Sequence, residues 1–478
     1  MRFTKYEKIL GSLFLATLPL SNPWVRGDGV GYYAFARSML IEHRLDFTKD
    51  WLAANTSFRM GRVDANGQLT PEQYTVNGHI DNHFSVGPAI LWSPFLFVAH
   101  AGTMWYDHLG GQVPSDGFSR PYRVAMALGT ALYGFLAVFI SFRLARRYAP
   151  ERWAFLAALG IWFGSSLPVY MYFDPSWSHA QSAFTVALFV WYWTITRNNR
   201  TWAQWVVLGA IGGLMLDVYY LSGALLLFPL LESLVGYWNL VKAGQIESLR
   251  RLLFHNALCA LALVAAALPS FITKKIIYGS YMKSGYEHLW VWNAPALFQV
   301  CFSADHGLFS WTPILIPAVV GLLLIRKHDR ILSAYSIGVL ALLVYVMACY
   351  ANWDGISSFG NRFFVLLTPL FVVGLAVFLG WLTHAWQERH GIAIAWTGVA
   401  VLMIWNLGLI YQWGTHLISP RGPISWRDAA YNQIAIVPVQ GARSLRSYLT
   451  KRDEMMDRIE QSDVNQIRGS HQGAEPTP

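Results

Sequence analysis

Long apolar runs separated by short polar breaks cover most of the chain. Each run approaches the roughly 20 residues that a helix needs to cross the hydrocarbon core of a bilayer. The pattern therefore predicts an all-α polytopic membrane protein whose polar residues gather in one long segment after the first run and in the tail. The twelve runs cover residues 9–25, 84–106, 124–142, 153–173, 175–196, 201–216, 218–241, 252–273, 307–325, 331–353, 363–383 and 391–415.

Positive charge indicates which of these runs cross the membrane. Arg2, Lys5 and Lys8 precede or begin the first run and predict a cytoplasmic N-terminus, because short cytoplasmic segments are rich in Lys and Arg. If run 84–106 crosses, nearly every later basic break falls outside, whereas these breaks are cytoplasmic if it does not cross. We therefore predict about eleven spans and an outer C-terminus. The breaks concerned carry Arg143, Arg146, Arg147, Arg152, Arg197, Arg200, Lys242, Arg250, Arg251, Arg326, Lys327 and Arg330.

Run 84–106 also has the composition of an interfacial segment. It contains Gly87, Pro88 and Pro94, and the polar stretch "HIDNHFS" overlaps its start. We expect a re-entrant or juxtamembrane element here, inside a first outer loop of residues 26–123 and a transmembrane domain of residues 1–415. The tail, residues 416–478, then lies outside, with one small helix and an end, "GSHQGAEPTP", that is typical of disorder.

Composition agrees with a membrane protein and excludes several classes of site. The 478 residues are 54% hydrophobic and 13% charged, whereas soluble domains carry about 25% charge. The net charge of +9 comes mostly from the basic breaks, so topology explains it without nucleic acid. Cys259, Cys301 and Cys349 match no metal or redox spacing and suit apolar filling positions. Hydrolase, phosphate-loop and zinc-protease motifs are absent.

The stretch "NPWVRGDGVGYYAFARSML" places Asp28 between two glycines just after the first run. A carboxylate with no neighbouring side chains can approach a substrate closely. The apolar spacing that follows predicts an interfacial helix, whose N-terminus suits a phosphate. The alternative is that Asp28 simply caps this helix.

Two acidic and histidine-containing clusters lie on the same predicted face. "GHIDNHFSVGP" contains Asp81 and His83, which could bind a metal or shuttle protons, or could form a solvated turn. "YFDPSWSHAQS" places Asp174 in a tight outer turn and His179 about one turn inside the membrane. Ionisable groups at that depth are costly and usually functional. The alternative is a histidine bonded to a backbone carbonyl.

Two cationic segments complete the outer face. Lys274 and Lys275 begin a polar loop, residues 274–306, that ends with His306. Interfacial lysines suit a lipid phosphate, and they could equally anchor any anionic headgroup. In "ANWDGISSFGNRFF", Arg362 offers paired N–H donors to a phosphate, or it pairs with Asp354 to close its own loop.

Taken in order, these motifs resemble the GT-C glycosyltransferases, such as the protein O-mannosyltransferases and the aminoarabinose transferases of lipid A. The resemblance covers roughly residues 1–415. It depends on five stretches and on the predicted topology. The stretches are "RGDGVGYYAFARSML", the segment from "DNHFSVGP" to "RPYRVAMALG", "DPSWSHAQSAF", "FSADHGLFSWTPILIPAVVGL" and "WDGISSFGNRFFVLLTPLFVVGLA".

The resemblance implies a multi-pass enzyme of the bacterial inner membrane with a periplasmic active site. It implies inverting transfer of a sugar from a polyprenyl phosphate to a glycan, lipid or protein, without a certain cofactor. Asp28 matches the catalytic acid of the first outer loop. Arg362, Lys274 and Lys275 would bind the donor phosphate; Tyr32, Asp81, His83, Asp174, His179 and His306 would position the acceptor. A divalent cation at Asp174 and His179 stays open, as do a polysaccharide polymerase or ligase and a transporter of lipid-linked substrates.

Overall fold

The computed structural model describes residues 3–283, 285–386 and 388–472, and within them it contains helices and isolated bridges but no strand. The expected all-α fold class is therefore confirmed. The helices are α1 Lys5–Thr17, α2 Asp28–Arg37, α3 Thr48–Ala53, α4 Thr56–Arg59, α5 Gly87–His108, α6 Arg120–Ala145, α7 Glu151–Gly164, α8 His179–Thr196, α9 Trp202–Val218, α10 Leu227–Lys242, α11 Ile246–Ala266, α12 Leu268–Tyr278, α13 Leu297–Phe302, α14 Leu308–Trp311, α15 Leu315–Leu324, α16 Arg330–Ala348, α17 Thr368–Ala385, α18 Glu388–Gly414, α19 Trp426–Ala435, α20 Val437–Thr450 and α21 Arg452–Gln472.

All twelve apolar runs contain helix, as their lengths predicted. Within the described residues, six helical stretches are long and apolar enough to cross a membrane. The number of eleven spans stays a prediction, because several other helices are shorter or less apolar than these six. The six are Arg120–Ala145, Tyr220–Lys242, Ile246–Ala266, Arg330–Ala348, Arg362–Ala385 and Glu388–Gly414.

Ion pairs gather several basic breaks at one end of the helix bundle. Arg143 Nε, at the end of α6, donates to Glu7 of α1 at 2.8 Å. Arg197 pairs with Asp329 at the start of α16, and Arg200 lies 3.3 Å from Glu232 of α10. Tyr148 OH, just after α6, donates to the same Asp329 at 3.1 Å. The start of α1 and the breaks that carry Arg143, Arg197 and Asp329 therefore share one end of the bundle. The assignment of that end to the cytoplasm stays a prediction.

Helix α5 packs against only the first half of α6. Tyr133 OH donates to Leu91 O at 2.9 Å, and His100 Nδ1 lies 2.6 Å from Tyr122 OH, so the two helices run antiparallel over this stretch. The second half of α6 contacts α1 instead. These contacts agree with α5 lying at the outer interface, which remains a prediction.

Residues 26–123, the predicted first outer loop, have a core of their own. They form a folded lobe, which we call the outer lobe, and not a simple connector. Arg37 makes two bonds of 2.6 Å to the carboxylate of Asp50 and one of 3.0 Å to Glu42. The side chains of Arg37 and Asp50 are almost completely buried. This pair joins the end of α2 to α3, beside the aromatic side chains of Phe35, Phe47 and Trp51.

The tail after α18 is more helical than the sequence predicted. It contains α19, α20 and α21, where we expected a single small helix. Helix α21 runs to Gln472, and residues 473–478 lie outside the described residues, so the predicted disorder of residues 469–478 stays a prediction.

Candidate active site

Asp28 and Arg362, which are far apart in the sequence, form an ion pair. Arg362 Nη2 lies 2.9 Å from Asp28 Oδ2, with the Arg362 side chain 11% exposed and the Asp28 side chain 34% exposed. The alternative pairing of Arg362 with Asp354 does not occur. The Asp28 carboxylate thus remains open to an incoming ligand, while its cationic partner lies behind it.

Asp28 is not the N-cap of its helix. Gly27 occupies the cap position, without a side-chain capping bond, and Asp28 is the first residue of α2. The capping alternative is therefore wrong. A carboxylate in the first turn is still stabilised by the helix dipole, but it keeps its side chain for other partners.

Trp177, in the turn between α7 and α8, supports both members of the ion pair. Its ring lies 4.3 Å below the guanidinium of Arg362. Its Nε1 donates to Arg26 O at 3.1 Å, two residues before Asp28. Gly27 has φ +53°, and a Cβ at this position would lie 3.1 Å from the Trp177 ring. A glycine is needed here because other residues rarely adopt this conformation.

The glycines after Asp28 serve internal packing. A Cβ on Gly29 would lie 1.9 Å from Ser176 Oγ, and a Cβ on Gly31 would lie 2.0 Å from the ring of Phe84. Helix α2 therefore touches the 174–178 turn and the 79–86 segment through its glycines. The expectation that Gly29 leaves room for a substrate is wrong, because Ser176 occupies that space.

Aromatic side chains surround the ion pair. Tyr32 is buried, and burial together with the nearby Asp28 charge raises the pKa of its hydroxyl above the usual value. Burial also raises the pKa of Tyr286, whose ring contacts those of His83 and Tyr350 at 4.6 and 6.3 Å. Tyrosines with raised pKa values stay protonated, so they offer hydroxyl donors beside the carboxylate.

Only one of the two predicted lysines contacts another predicted site residue. Lys274 Nζ donates to His83 O at 2.9 Å, and burial lowers the pKa of this lysine to about 8. Lys275 points away and donates to Gly279 O at the exposed surface. Asp81 accepts a hydrogen bond from Tyr278, on the same helix as the lysines. The structure thus brings His83, Asp81 and Lys274 together and separates Lys275 from them.

The remaining predicted residues, Asp174, His179 and His306, are all buried. Asp174 is buried, which raises its pKa, while Arg26 acts in the opposite direction. The ring of His179 lies between those of Tyr170 and Tyr219, at 4.6 and 5.3 Å, and its buried Nδ1 has no hydrogen-bond partner among the described residues.

His306 is fully buried and stacks on Trp311 at 4.8 Å. Burial lowers its pKa to about 4, so the ring is neutral near pH 7. Across the described ranges, no three His, Cys, Asp or Glu side chains form a group that could hold a metal ion. The suggested cation at Asp174 and His179 therefore gains no third ligand.

Sequence reasoning missed one cation, Arg62. The Asp28 charge acts on this guanidinium, although burial lowers its pKa. Arg62 Nη1 donates to Phe58 O at 2.6 Å, and its guanidinium lies 4.2 Å from the ring of Phe58. Arg62 follows α4 in a stretch without a motif, so only the folding of the outer lobe reveals its position.

Comparison with solved structures shows what the chain is similar to in fold. No protein-family model matches the chain, and no curated protein matches it. The chain is similar to the crystal structure of ArnT from Cupriavidus metallidurans in the apo state. The two are 14% identical, the match covers 84% of this chain and 70% of that one, and the TM-score is 0.49.

Proposed function

We propose that the chain is a GT-C membrane glycosyltransferase that moves a sugar from a polyprenyl phosphate to an acceptor at the outer face of the bacterial inner membrane. The observation that carries the proposal is the accessible Asp28 carboxylate paired with the buried guanidinium of Arg362. An inverting attack by a hydroxyl on a carbon that carries a phosphate needs a base on one face of that carbon and an anion-binding group on the other. The sugar would therefore enter between Asp28 and Arg362 and separate the pair.

Asp28 acts as general base in this mechanism. Its carboxylate takes the proton of the acceptor hydroxyl, and the acceptor oxygen attacks the anomeric carbon on the face opposite the phosphate. The new C–O bond forms as the bond to the phosphate oxygen breaks, so the configuration inverts. The polyprenyl phosphate leaves with the electron pair, and Asp28 returns its proton to water.

Arg362 and Lys274 bind the phosphate as negative charge develops on it. Arg62 is a third cation in the electrostatic range of Asp28. Arg362 retains a buried Nε–H without a partner among the described residues, so it has a donor available besides the one on Asp28. A phosphate that binds Arg362 also competes with Asp28 for the guanidinium. Donor binding would thereby free the base at the moment when it is needed.

The aromatic side chains suit the sugar and the acceptor. Tyr32 and Tyr286 present protonated hydroxyls near Asp28, and Trp177, whose ring is stacked on Arg362, holds the ion pair in position. Asp81, His83, Asp174, His179 and His306 would position the acceptor from the surrounding walls. Lys275 lies at the exposed surface and would contact lipid headgroups.

Labelled polyprenyl-phosphate sugar, incubated with the purified protein and a mixture of envelope acceptors, tests the proposal. Transfer of one labelled sugar per acceptor supports a glycosyltransferase. A labelled polymer would instead indicate a polymerase or ligase. Movement of the label across the bilayer of a liposome without transfer would indicate a transporter, and either of these results would overturn the proposal.

A further inference from the structure

Helix α21, in the tail, lies across the outer lobe and touches two of its segments through one face. Asp463 Oδ2 lies 2.7 Å from Arg26 Nη2. Glu460 accepts a bond of 2.6 Å from the backbone N–H of Ser57 and one of 2.8 Å from Asn55 Nδ2. Residues three apart lie on the same face of a helix, so Glu460 and Asp463 act from one surface.

Both segments held by α21 carry charged residues of the candidate site. Arg26 precedes Asp28 by two residues, and its carbonyl receives the bond from Trp177. Ser57 belongs to α4, and the next turn brings Arg62 back to Phe58 O. Asp28 thus follows Arg26, the partner of Asp463, by two residues. Arg62 follows Ser57, the partner of Glu460, within the same short segment.

The Arg26–Asp463 contact is sheltered enough to hold a position. The two side chains are 23% and 13% exposed, so water screens the pair less than it screens a pair on the open surface. His416, just after α18, adds a bond of 2.8 Å from its ring to Ser462. At the start of the helix, Arg452 donates to Ser21 O and Pro19 O, both at 2.6 Å. The helix is therefore anchored at its start and at its middle.

We infer that α21 is a positioning element of the active site, in which Asp463 sets the position of the Asp28 segment and Glu460 sets that of the Arg62 segment. This inference rests on the proposed function only for its effect on transfer. Neither carboxylate touches the reacting atoms, so both are positioning residues.

Alanine variants of the two carboxylates test the inference in the full-length protein in nanodiscs. Asp457→Ala is the matched control, because Asp457 is an exposed acid one turn earlier on the same helix. Amide hydrogen exchange is the first measurement, since it needs no substrate. We expect Asp463→Ala to speed exchange over residues 22–30 and Glu460→Ala over residues 55–62, with no change in Asp457→Ala.

Transfer kinetics are the second measurement. Displacement of the base should lower kcat about tenfold or more in Asp463→Ala, while KM for the donor stays within about twofold, because small misplacements of catalytic groups cost rate before binding. Glu460→Ala should instead raise the donor KM. The double variant Arg26→Asp with Asp463→Arg restores the ion pair in reverse and should recover most of the kcat.

Several results would overturn the inference: unchanged exchange at both segments, the same loss of kcat in Asp457→Ala, or no recovery in the reversed pair. A wild-type protein without transfer would refute the proposed function, and the exchange data would then decide alone whether α21 holds these segments. Transfer in the wild type with unchanged kcat in Asp463→Ala would leave the function standing and refute the positioning role.

Discussion

Replacement of Asp28 by Asn separates the catalytic role of this residue from a structural one. The substitution keeps the shape and one acceptor oxygen for Arg362, but it removes the negative charge and the ability to accept a proton. A general base contributes about 10²–10⁴-fold to a rate, which is about 2.7–5.4 kcal/mol of barrier at 1.36 kcal/mol for each factor of ten. We expect transfer to fall by at least about a hundredfold.

The cost to stability should be much smaller than the cost to rate. The contact between Asp28 and Arg362 is a single N–O distance of 2.9 Å, and Asp28 is 34% exposed. Water can therefore take over part of the interaction, and Asn keeps an acceptor oxygen for the guanidinium. We expect the free energy of unfolding to fall by less than the about 3–5 kcal/mol that a fully buried pair loses.

Asp50→Asn is the matched control, because it makes the same change in a buried aspartate–arginine pair of the same lobe. Asp50 and Arg37 form two bonds of 2.6 Å, and their side chains are 3% and 1% exposed. Removal of one charge from such a pair costs about 3–5 kcal/mol. We expect the opposite pattern here, with a clearly lower thermal midpoint and near-normal transfer per folded molecule.

The assay follows labelled sugar into the acceptor and normalises it to monodisperse protein, with thermal unfolding measured on the same samples. Transfer by Asp28→Asn within about threefold of the wild type would refute its role as base, since this lies well below the contribution of a general base. An equal loss per folded molecule in Asp50→Asn would show that the assay reports the folding of the lobe instead.

Three further predictions address single contacts of the site. Burial lowers the pKa of Lys274 to about 8, so its charge is lost as the pH rises through that value and the donor KM should increase; Lys274→Arg should abolish this increase, and identical pH profiles for the two proteins would contradict it. Gly29→Ala should lower the free energy of unfolding by about 1–3 kcal/mol through its clash with Ser176, and Ser176→Gly in the same chain should recover part of the loss; a raised KM with unchanged stability would instead indicate contact with substrate. Arg62→Met should raise the donor KM about tenfold or more, as expected for a lost charged hydrogen bond, with a small change in kcat, and an unchanged KM would exclude Arg62 from phosphate binding.

Hydrophobic pattern and charge were enough to predict the helices of the apolar runs and most of the residues worth testing. The apolar runs are local properties of the chain, and each contains helix in the structure. Asp28 and Arg362 could be singled out because each is a charged residue among glycines and serines between apolar runs. Their separate roles as base and phosphate ligand followed from chemistry and from the family resemblance, and they remain proposals.

Contacts between distant segments could not be predicted in this way. Lys274 and Lys275 are equivalent in the sequence, but successive residues point about 100° apart around a helix, so packing turns one towards His83 and the other towards the surface. The sequence similarly suggested free space at the glycines beside Asp28, but the turn that carries Ser176 fills the space next to Gly29.

The sequence by itself thus determined that the apolar runs of this protein are helical and which polar residues lie between them, because the apolar spacing of a run is a local property of the chain. Only the tertiary structure decided that Asp28 meets Arg362, that the Asp28 charge acts on Arg62, and that α21 reaches back to both segments. These meetings depend on how whole helices pack, and packing follows from the combined shapes of many side chains far apart in the chain.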